Sequence, residues 1–209
     1  MRLSRKNFTD FFALRGINKV VKTLILSDVL ILGGFGLISP IFAVYVTETI
    51  QGGTVEVVGI ASTIYLLVKS LGQLISAEII DRIKGEMDDF WSVFIGSIVM
   101  TVVYLAFLFI NTPAQLYVVQ FISGLATAFT FPSWMAIYTR HIDKKHEGKE
   151  WGIYYTLIDL ASAGTAAVGG VIAFSLGFKS LFVIVVGIGL LGSYALWFIR
   201  DEMHQPKKN

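Results

Sequence analysis

The chain has 209 residues, of which 55% are hydrophobic and 15% are charged, and its formal net charge is +2. The apolar residues fall in six long blocks, and the core of a soluble domain of this size could not bury all of them. The composition therefore excludes a soluble globular domain and predicts a multi-pass membrane protein. The absence of cysteine excludes disulfides, thiol chemistry and cysteine metal sites.

The chain begins with a basic segment, residues 1–22, which we predict to be cytoplasmic. It is not a cleavable signal, because the apolar run that follows is too long and no small-residue cleavage site follows that run. Apolar side chains among the basic ones predict either a short helix on the inner leaflet or a partly ordered tail. These apolar residues are Phe8, Phe11, Phe12 and Leu14.

A transmembrane domain, residues 23–199, follows, and a cytoplasmic tail, residues 200–209, ends the chain. A helix rises ~1.5 Å per residue, so each apolar block is long enough to cross a hydrocarbon core of about 30 Å. The sequence therefore predicts an all-α membrane protein with six transmembrane helices. The predicted spans are Thr23–Val46, Val57–Ile80, Phe90–Ile110, Leu116–Tyr138, Gly152–Leu176 and Leu181–Ile199.

The basic residues are distributed unevenly between the two sides of this topology. Fifteen Lys and Arg residues lie in the N-terminal segment, the loops Asp81–Asp89 and Thr139–Trp151, and the tail, whereas the alternate loops contain only Lys179. Because basic loops stay in the cytoplasm, this asymmetry predicts that both termini are cytoplasmic. We expect a multi-pass protein of the cell (inner) membrane.

Polar side chains recur at helical spacing inside four of the six spans. The first, second, fourth and fifth spans carry them, whereas the third and sixth have no ionisable residue except tyrosine. Steps of three or four residues share a helix face, so the pattern predicts a cavity lined by spans one, two, four and five. The candidate residues of a proton and substrate pathway are Asp28, Lys69, Gln73, Gln120, Tyr155 and Asp159.

Two acids and one lysine at neighbouring depths could exchange partners during transport. Protonation of a carboxylate would release Lys69 to bind an anionic group, which would couple proton movement to the solute. The structural alternative is a static Asp28–Lys69 pair that joins two helices, with Asp159 bonded to nearby hydroxyl groups. Intramembrane ionisable residues are usually functional, which favours the first interpretation.

A faint internal repeat relates the two halves of the domain. Asp28 and Pro40 are twelve residues apart, as are Gln120 and Pro132. Two groups of three helices must be inverted relative to each other, which predicts a 3+3 inverted repeat of the kind found in secondary transporters. We expect the prolines to bend their helices. Small residues at four-residue spacing predict a close packing face, formed by Ser162, Ala166 and Gly170.

The sequence resembles one six-helix half, most like the N-terminal half, of a major facilitator superfamily transporter. The family's loop motif Gly-x-x-x-Asp-Arg-x-Gly-Arg-Arg has a counterpart in AEIIDRIKGE at residues 77–86. Gly124 matches a glycine of the antiporter motif in the fourth helix, and Gly169-Gly170 match the end of the motif in the fifth. Gln120 stands where the antiporters have arginine.

The resemblance implies a gating contact at Asp81 and Arg82, although a plain charged turn is the alternative. It also implies secondary active transport of a small solute by alternating access, coupled to protons. The family has twelve helices and this chain has six, so we expect a homodimer or a second six-helix half. The alternative function is a non-transporting membrane protein, either an orphan or truncated half or an assembly subunit.

Enzymatic functions find little support in the sequence. His141, His146 and His204 all lie outside the predicted spans, and no hydrolase, zinc-protease or phosphate-binding motif is present. We expect no cofactor, no metal and no nucleic-acid partner. The expected partners are a small solute, protons and the lipid bilayer.

Overall fold

The computed structural model describes residue 14 and residues 16–203. The predicted inner-leaflet helix or tail therefore lies outside the described residues apart from Leu14, as does most of the C-terminal tail. In the described part the chain is helical, without strands. The helices are α1 (Lys19–Gly36), α2 (Phe42–Thr49), α3 (Val55–Arg82), α4 (Met87–Val102), α5 (Pro113–His141) and α6 (Glu147–Leu196).

Short 3-10 segments extend three of these helices: Ser39–Ile41, Val103–Leu108 and Trp197–Glu202. Helix starts follow the usual capping chemistry, in which a polar side chain accepts a hydrogen bond from an otherwise unpaired N–H. Thr112 caps α5 in a reciprocal capping box with Gln115, and Thr54 caps α3. These caps place the helix starts two or three residues before the predicted spans.

The first apolar block is not one continuous helix. The regular helix α1 ends at Gly36, the 3-10 segment contains Pro40, and α2 continues the block to Thr49. Proline has no N–H to donate to the preceding turn, which explains the interruption. The expected effect of Pro40 is confirmed, whereas α5 is assigned as one helix through Pro132.

The last two predicted spans lie in one long helix, α6, which has a break inside it. Gly177 has φ 79° and ψ 165°, a backbone conformation that glycine adopts without a steric penalty. Five helical segments of the described chain are long and apolar enough to cross a membrane, by length and composition. The expected number of six therefore stays a prediction.

The helices pack mainly with partners that are distant in the sequence. Helix α1 packs along both parts of α6, and α5 packs along α3 and α4. Helix α4 also contacts α6. In the predicted repeat, spans one, two and three are equivalent to spans four, five and six. The contact of α1 with α6 would then be equivalent to the contacts of α5 with α3 and α4. The 3+3 inverted repeat stays a prediction.

Small residues allow the close approach of α1 to α6. A methyl group built on Gly33 would lie 3.2 Å from Ala161 Cβ, and one built on Gly36 would overlap Thr165. Gly170, by contrast, has open space around it. Of the predicted face, Ser162 lies at this contact, since its Cα is 3.0 Å from the methyl group built on Gly36. Gly169, and not Gly170, lies against the backbone of Leu37.

One end of the bundle, which we call the charged end, is held by ionic residues. Arg140 forms an ion pair with Asp89, which is 1% exposed. His141 Nε2 lies 3.7 Å from Glu86 Oε2, and the buried Glu150 side chain accepts from the backbone N–H of Asp143. These contacts join the start of α4, the end of α5 and the start of α6.

The opposite end, which we call the aromatic end, is held by ring contacts around Tyr45. The Tyr45 ring packs edge-on against Phe107, Phe178 and Phe182, with centroid distances of 5.7, 5.4 and 4.9 Å. Its hydroxyl donates to the backbone oxygen of Phe107 at 2.7 Å. This cluster joins α2 to the 3-10 segment after α4 and to α6 just beyond Gly177.

Candidate functional site

A cavity of about 650 Å³ lies between α1, α3, α4 and α5. Three of the predicted site residues, Asp28, Lys69 and Gln120, line it. The two polar stripes predicted on the second and fourth spans also face it, through Ser62 and Tyr65 on α3. The α5 stripe contributes Gln120, Ser123, Thr127 and Thr130.

Asp28 lies on α1 and has a tyrosine as its partner. The Tyr154 hydroxyl donates a hydrogen bond of 2.9 Å to Asp28 Oδ2. Tyr154 is itself buried, and its ring lies 4.8 Å from that of Trp134, which also lines the cavity. The surrounding aromatic rings therefore fix the position of the hydroxyl that binds the carboxyl group.

Lys69 has a different environment from the one predicted. Its Nζ lies 5.5 Å from the centroid of the Phe131 ring and 6.0 Å from that of Tyr65. Among the described residues it forms no ion pair, so the static Asp28–Lys69 pair is absent. Attraction to the faces of aromatic rings stabilises an ammonium group in such surroundings.

Three other predicted residues do not reach this cavity. Gln73 is half-buried on α3, one turn beyond Lys69, whereas Tyr155 and Asp159 are exposed on α6. Tyr154 faces inward, so Tyr155 is rotated by about 100° away from the cavity. Asp159 has no hydrogen bond to a hydroxyl group within the described chain, contrary to the structural alternative. The pathway role of all three stays a prediction.

The third predicted span lines the cavity, contrary to expectation. Helix α4 and its 3-10 extension contribute Val93, Ser97, Met100, Tyr104 and Phe107. The prediction followed ionisable groups, and this wall is mostly apolar and aromatic. The signal that could have identified it is the pair Ser97 and Tyr104, seven residues apart on one helix face.

The proposed gating residues lie at the end of α3, and both are exposed. Arg82 forms an ion pair with Glu78, one turn earlier on the same helix. Such i,i+4 pairs are common on exposed helix faces and contribute little to stability. In the described chain, no other contact of Arg82 links it to another helix, so the gating role of Asp81 and Arg82 stays a prediction.

These features define an all-α protein whose helices are apolar enough to cross a membrane and line a mostly apolar cavity with a few polar groups. The sequence profile of the Major Facilitator Superfamily matches residues 24–209. The chain belongs to this superfamily.

Curated relatives and a solved structure are similar to the chain at low identity. "Multidrug resistance protein MdtG" of Citrobacter koseri is 22% identical over 179 residues, which are 86% of this chain and 44% of the relative. The protein of the same name from Klebsiella pneumoniae is 21% identical over 195 residues, 91% of this chain and 47% of the relative. The chain thus spans about half the length of these relatives.

The crystal structure of the POT family transporter PepTSo superposes with a TM-score of 0.71 at 16% identity. The match covers 91% of this chain and 39% of that chain. At this identity the likeness shows the fold alone.

Proposed function

We propose that the chain is one six-helix half of a secondary active transporter, which moves a small solute across the cell (inner) membrane by alternating access and couples this movement to protons. The observation that carries the proposal is the cavity, because it places Asp28, Lys69 and Gln120 inside apolar helices of a superfamily member. Polar residues at such positions commonly mark substrate and ion pathways. The names of the relatives favour a drug-sized solute.

Two observations support six crossings. The last apolar segment, Glu147–Glu202, has 56 residues and would be about 84 Å long as one helix, far more than a bilayer needs. Lys19 Nζ lies 2.8 Å from Glu202 Oε1, so the two ends of the described chain lie on the same side. An even number of crossings is required for that arrangement, and division of α6 at Gly177 supplies the sixth.

Proton coupling is assigned to Asp28. In the described chain its carboxyl group has a tyrosine partner and no cation. An ionised carboxylate is costly inside a membrane protein, and binding of a proton removes that cost. A cavity that opens to water on one side and then on the other would let this proton enter and leave on different sides.

Transport assays in sealed vesicles test the proposal. Wild-type protein should move a radiolabelled aromatic solute when a pH gradient is applied. Asp28→Asn should abolish the response to the gradient, whereas Asp201→Asn, at an exposed position away from the cavity, should not. An unchanged response in Asp28→Asn would reject the role of Asp28. No solute movement under any gradient would favour the non-transporting alternative.

An uncovered face supports a second six-helix half. In α3 only Ala61, Ser76 and Ile80 are buried, although the helix has 28 residues. Asp159 is exposed on α6, and a carboxylate in contact with lipid is unfavourable. A second copy of the chain, or a separate half, related by an axis along the membrane normal would cover this face.

Cross-linking in native membranes tests whether a second copy of the chain covers this face. Introduced cysteines are specific probes, because the chain has no cysteine of its own. Cysteines at Leu74 of α3 and Val171 of α6, which are 73% and 65% exposed, should cross-link to a second copy at twice the monomer mass. A cysteine at the buried Leu24 is the matched control. Monomers that remain uncross-linked in vesicles that transport solute would reject the homodimer.

The orientation is tested by accessible tags. We propose that both termini and the loop Thr139–Trp151 face the cytoplasm, as the basic residues indicate. Tags at these places should stay protected in intact cells, whereas a tag within Thr47–Glu56 should be labelled from outside. The opposite labelling pattern would reject the proposed orientation.

A further inference from the structure

The two charged groups of the cavity differ in how well they are neutralised. Asp28 accepts a hydrogen bond from Tyr154, which disperses part of its negative charge. Lys69 has only the ring faces of Tyr65 and Phe131, and no carboxylate among the described residues pairs with it. The ammonium group is therefore the less satisfied of the two, and an anion entering the cavity gains most by approaching it.

The wall formed by α1 and α4 suits the apolar part of a solute. The rings of Phe35 and Tyr104 stack with centroids 4.7 Å apart, and the Phe107 ring lies 5.6 Å from that of Tyr104. All three residues line the cavity. Aromatic rings prefer stacked or edge-on neighbours, so this wall favours a flat aromatic body over a flexible hydrophilic one.

The remaining lining side chains complete an amphipathic site. Gln120 on α5 and Ser62 on α3 offer hydrogen-bond donors in the same cavity as Lys69, whereas the Ser123 hydroxyl already donates to the backbone oxygen of Val119. A volume of about 650 Å³ falls within the range of pockets that hold drug-sized ligands. Amide and hydroxyl donors can bind the oxygens of a carboxylate or sulfonate that pairs with an ammonium group.

We propose that the cavity binds amphipathic aromatic anions, with the carboxylate or sulfonate group at Lys69 and the ring against Phe35, Tyr104 and Phe107. This inference rests on the proposed transport function, since it names the solute class of the same cavity. An aromatic cation would meet the ammonium group of Lys69 without a counter-charge there. A neutral aromatic solute would leave the ammonium group unpaired.

Three probes that share one ring system test the charge preference. Binding of radiolabelled 1-naphthoate, 1-naphthamide and 1-naphthylmethylammonium to the full chain in lipid nanodiscs is measured by equilibrium dialysis. Naphthoate should bind about tenfold more tightly than naphthamide, which corresponds to about 1.4 kcal/mol. The ammonium probe should bind most weakly. Equal binding of naphthoate and naphthamide, or binding of none of the three, would overturn the inference.

Substitutions at Lys69 assign the preference to one side chain. Lys69→Gln should weaken naphthoate binding about tenfold and leave naphthamide binding within about twofold, while Lys69→Arg should retain the preference. Lys84→Gln, at an exposed lysine outside the cavity, is the matched control and should behave as wild type. A preference for naphthoate that persists in Lys69→Gln would reject the assignment.

Failure of this inference is distinguishable from failure of the proposed function. If the naphthoate preference depends on Lys69 but vesicles move no solute, transport is rejected and the binding site stands. If vesicles transport solutes but naphthylmethylammonium binds most tightly and loses affinity in Asp28→Asn, the solute class is rejected and transport stands.

Discussion

The charged end and the aromatic end of the bundle are held together by opposite means. At the charged end, the buried carboxylate of Asp89 forms an ion pair with Arg140. At the aromatic end, the Tyr45 ring has several neighbours, and its one polar atom bonds to the backbone. Ring packing depends little on salt, whereas a buried ion pair fails when either partner is lost. The charged end should therefore be more sensitive than the aromatic end to the loss of a single side-chain charge.

The largest effect is expected at the centre of the aromatic end. Tyr45→Ala removes a ring that is 3% exposed and leaves a cavity among Phe107, Phe178 and Phe182, so the free energy of unfolding should fall by about 3–5 kcal/mol. Tyr45→Phe is the matched control, which loses only the hydroxyl bond and should cost about 1 kcal/mol. Unfolding in detergent by SDS titration measures both. Equal losses in the two variants would show that the hydroxyl bond, not ring packing, closes this end.

A smaller loss is expected when the charged end is broken. Arg140→Gln leaves the Asp89 carboxylate buried without its cation, which should lower the free energy of unfolding by about 3 kcal/mol. The double variant Arg140→Gln with Asp89→Asn should recover most of this loss, because the uncompensated charge is then gone. Lys144→Gln, in the following loop, is the exposed control. If Arg140→Gln left the free energy of unfolding unchanged, water would have to reach the Asp89 carboxylate.

The smallest effect is expected for the exposed pair at the same end. Lys19 and Glu202 are 2.8 Å apart, but both side chains are well exposed. Exposed ion pairs are screened by water and salt and contribute little. Lys19→Gln should therefore leave the unfolding transition unchanged at physiological salt. A clear fall in the free energy of unfolding of Lys19→Gln would show that the Lys19–Glu202 pair is shielded from water. The contrast between the buried and the exposed ion pair would then be wrong.

The sequence predicts the polar residues of the cavity better than its walls. Asp28, Lys69 and Gln120 were identified because polar side chains are rare in apolar spans and recur there at helical spacing. The prediction chose Tyr155 and missed Tyr154. In a helix that is apolar on all sides, the sequence pattern does not show which face points inward. The inward phase follows from Ile153, Leu157 and Ala161, which continue the buried side of α6.

Contacts between the ends of helices that are distant in the sequence had no sequence signal. Asp89 and Arg140 are separated by 51 residues, and each lies in an ordinary charged segment. Helical spacing shows which residues share a face, but it does not show which helices are neighbours. The order of packing, with α1 on α6 and α5 on α3 and α4, is a property of the tertiary fold.

The packing order also has a consequence for synthesis of the chain at the ribosome. Helices α1, α3 and α4 find their main partners in α5 and α6, which are made later. A nascent chain that stops before Pro113 would therefore hold three apolar helices with few contacts among them. Asp28 and Lys69 would lie in the membrane before the residues that surround them in the folded protein have been made. Insertion of this protein should depend on factors that shield polar helices until the fourth crossing has emerged.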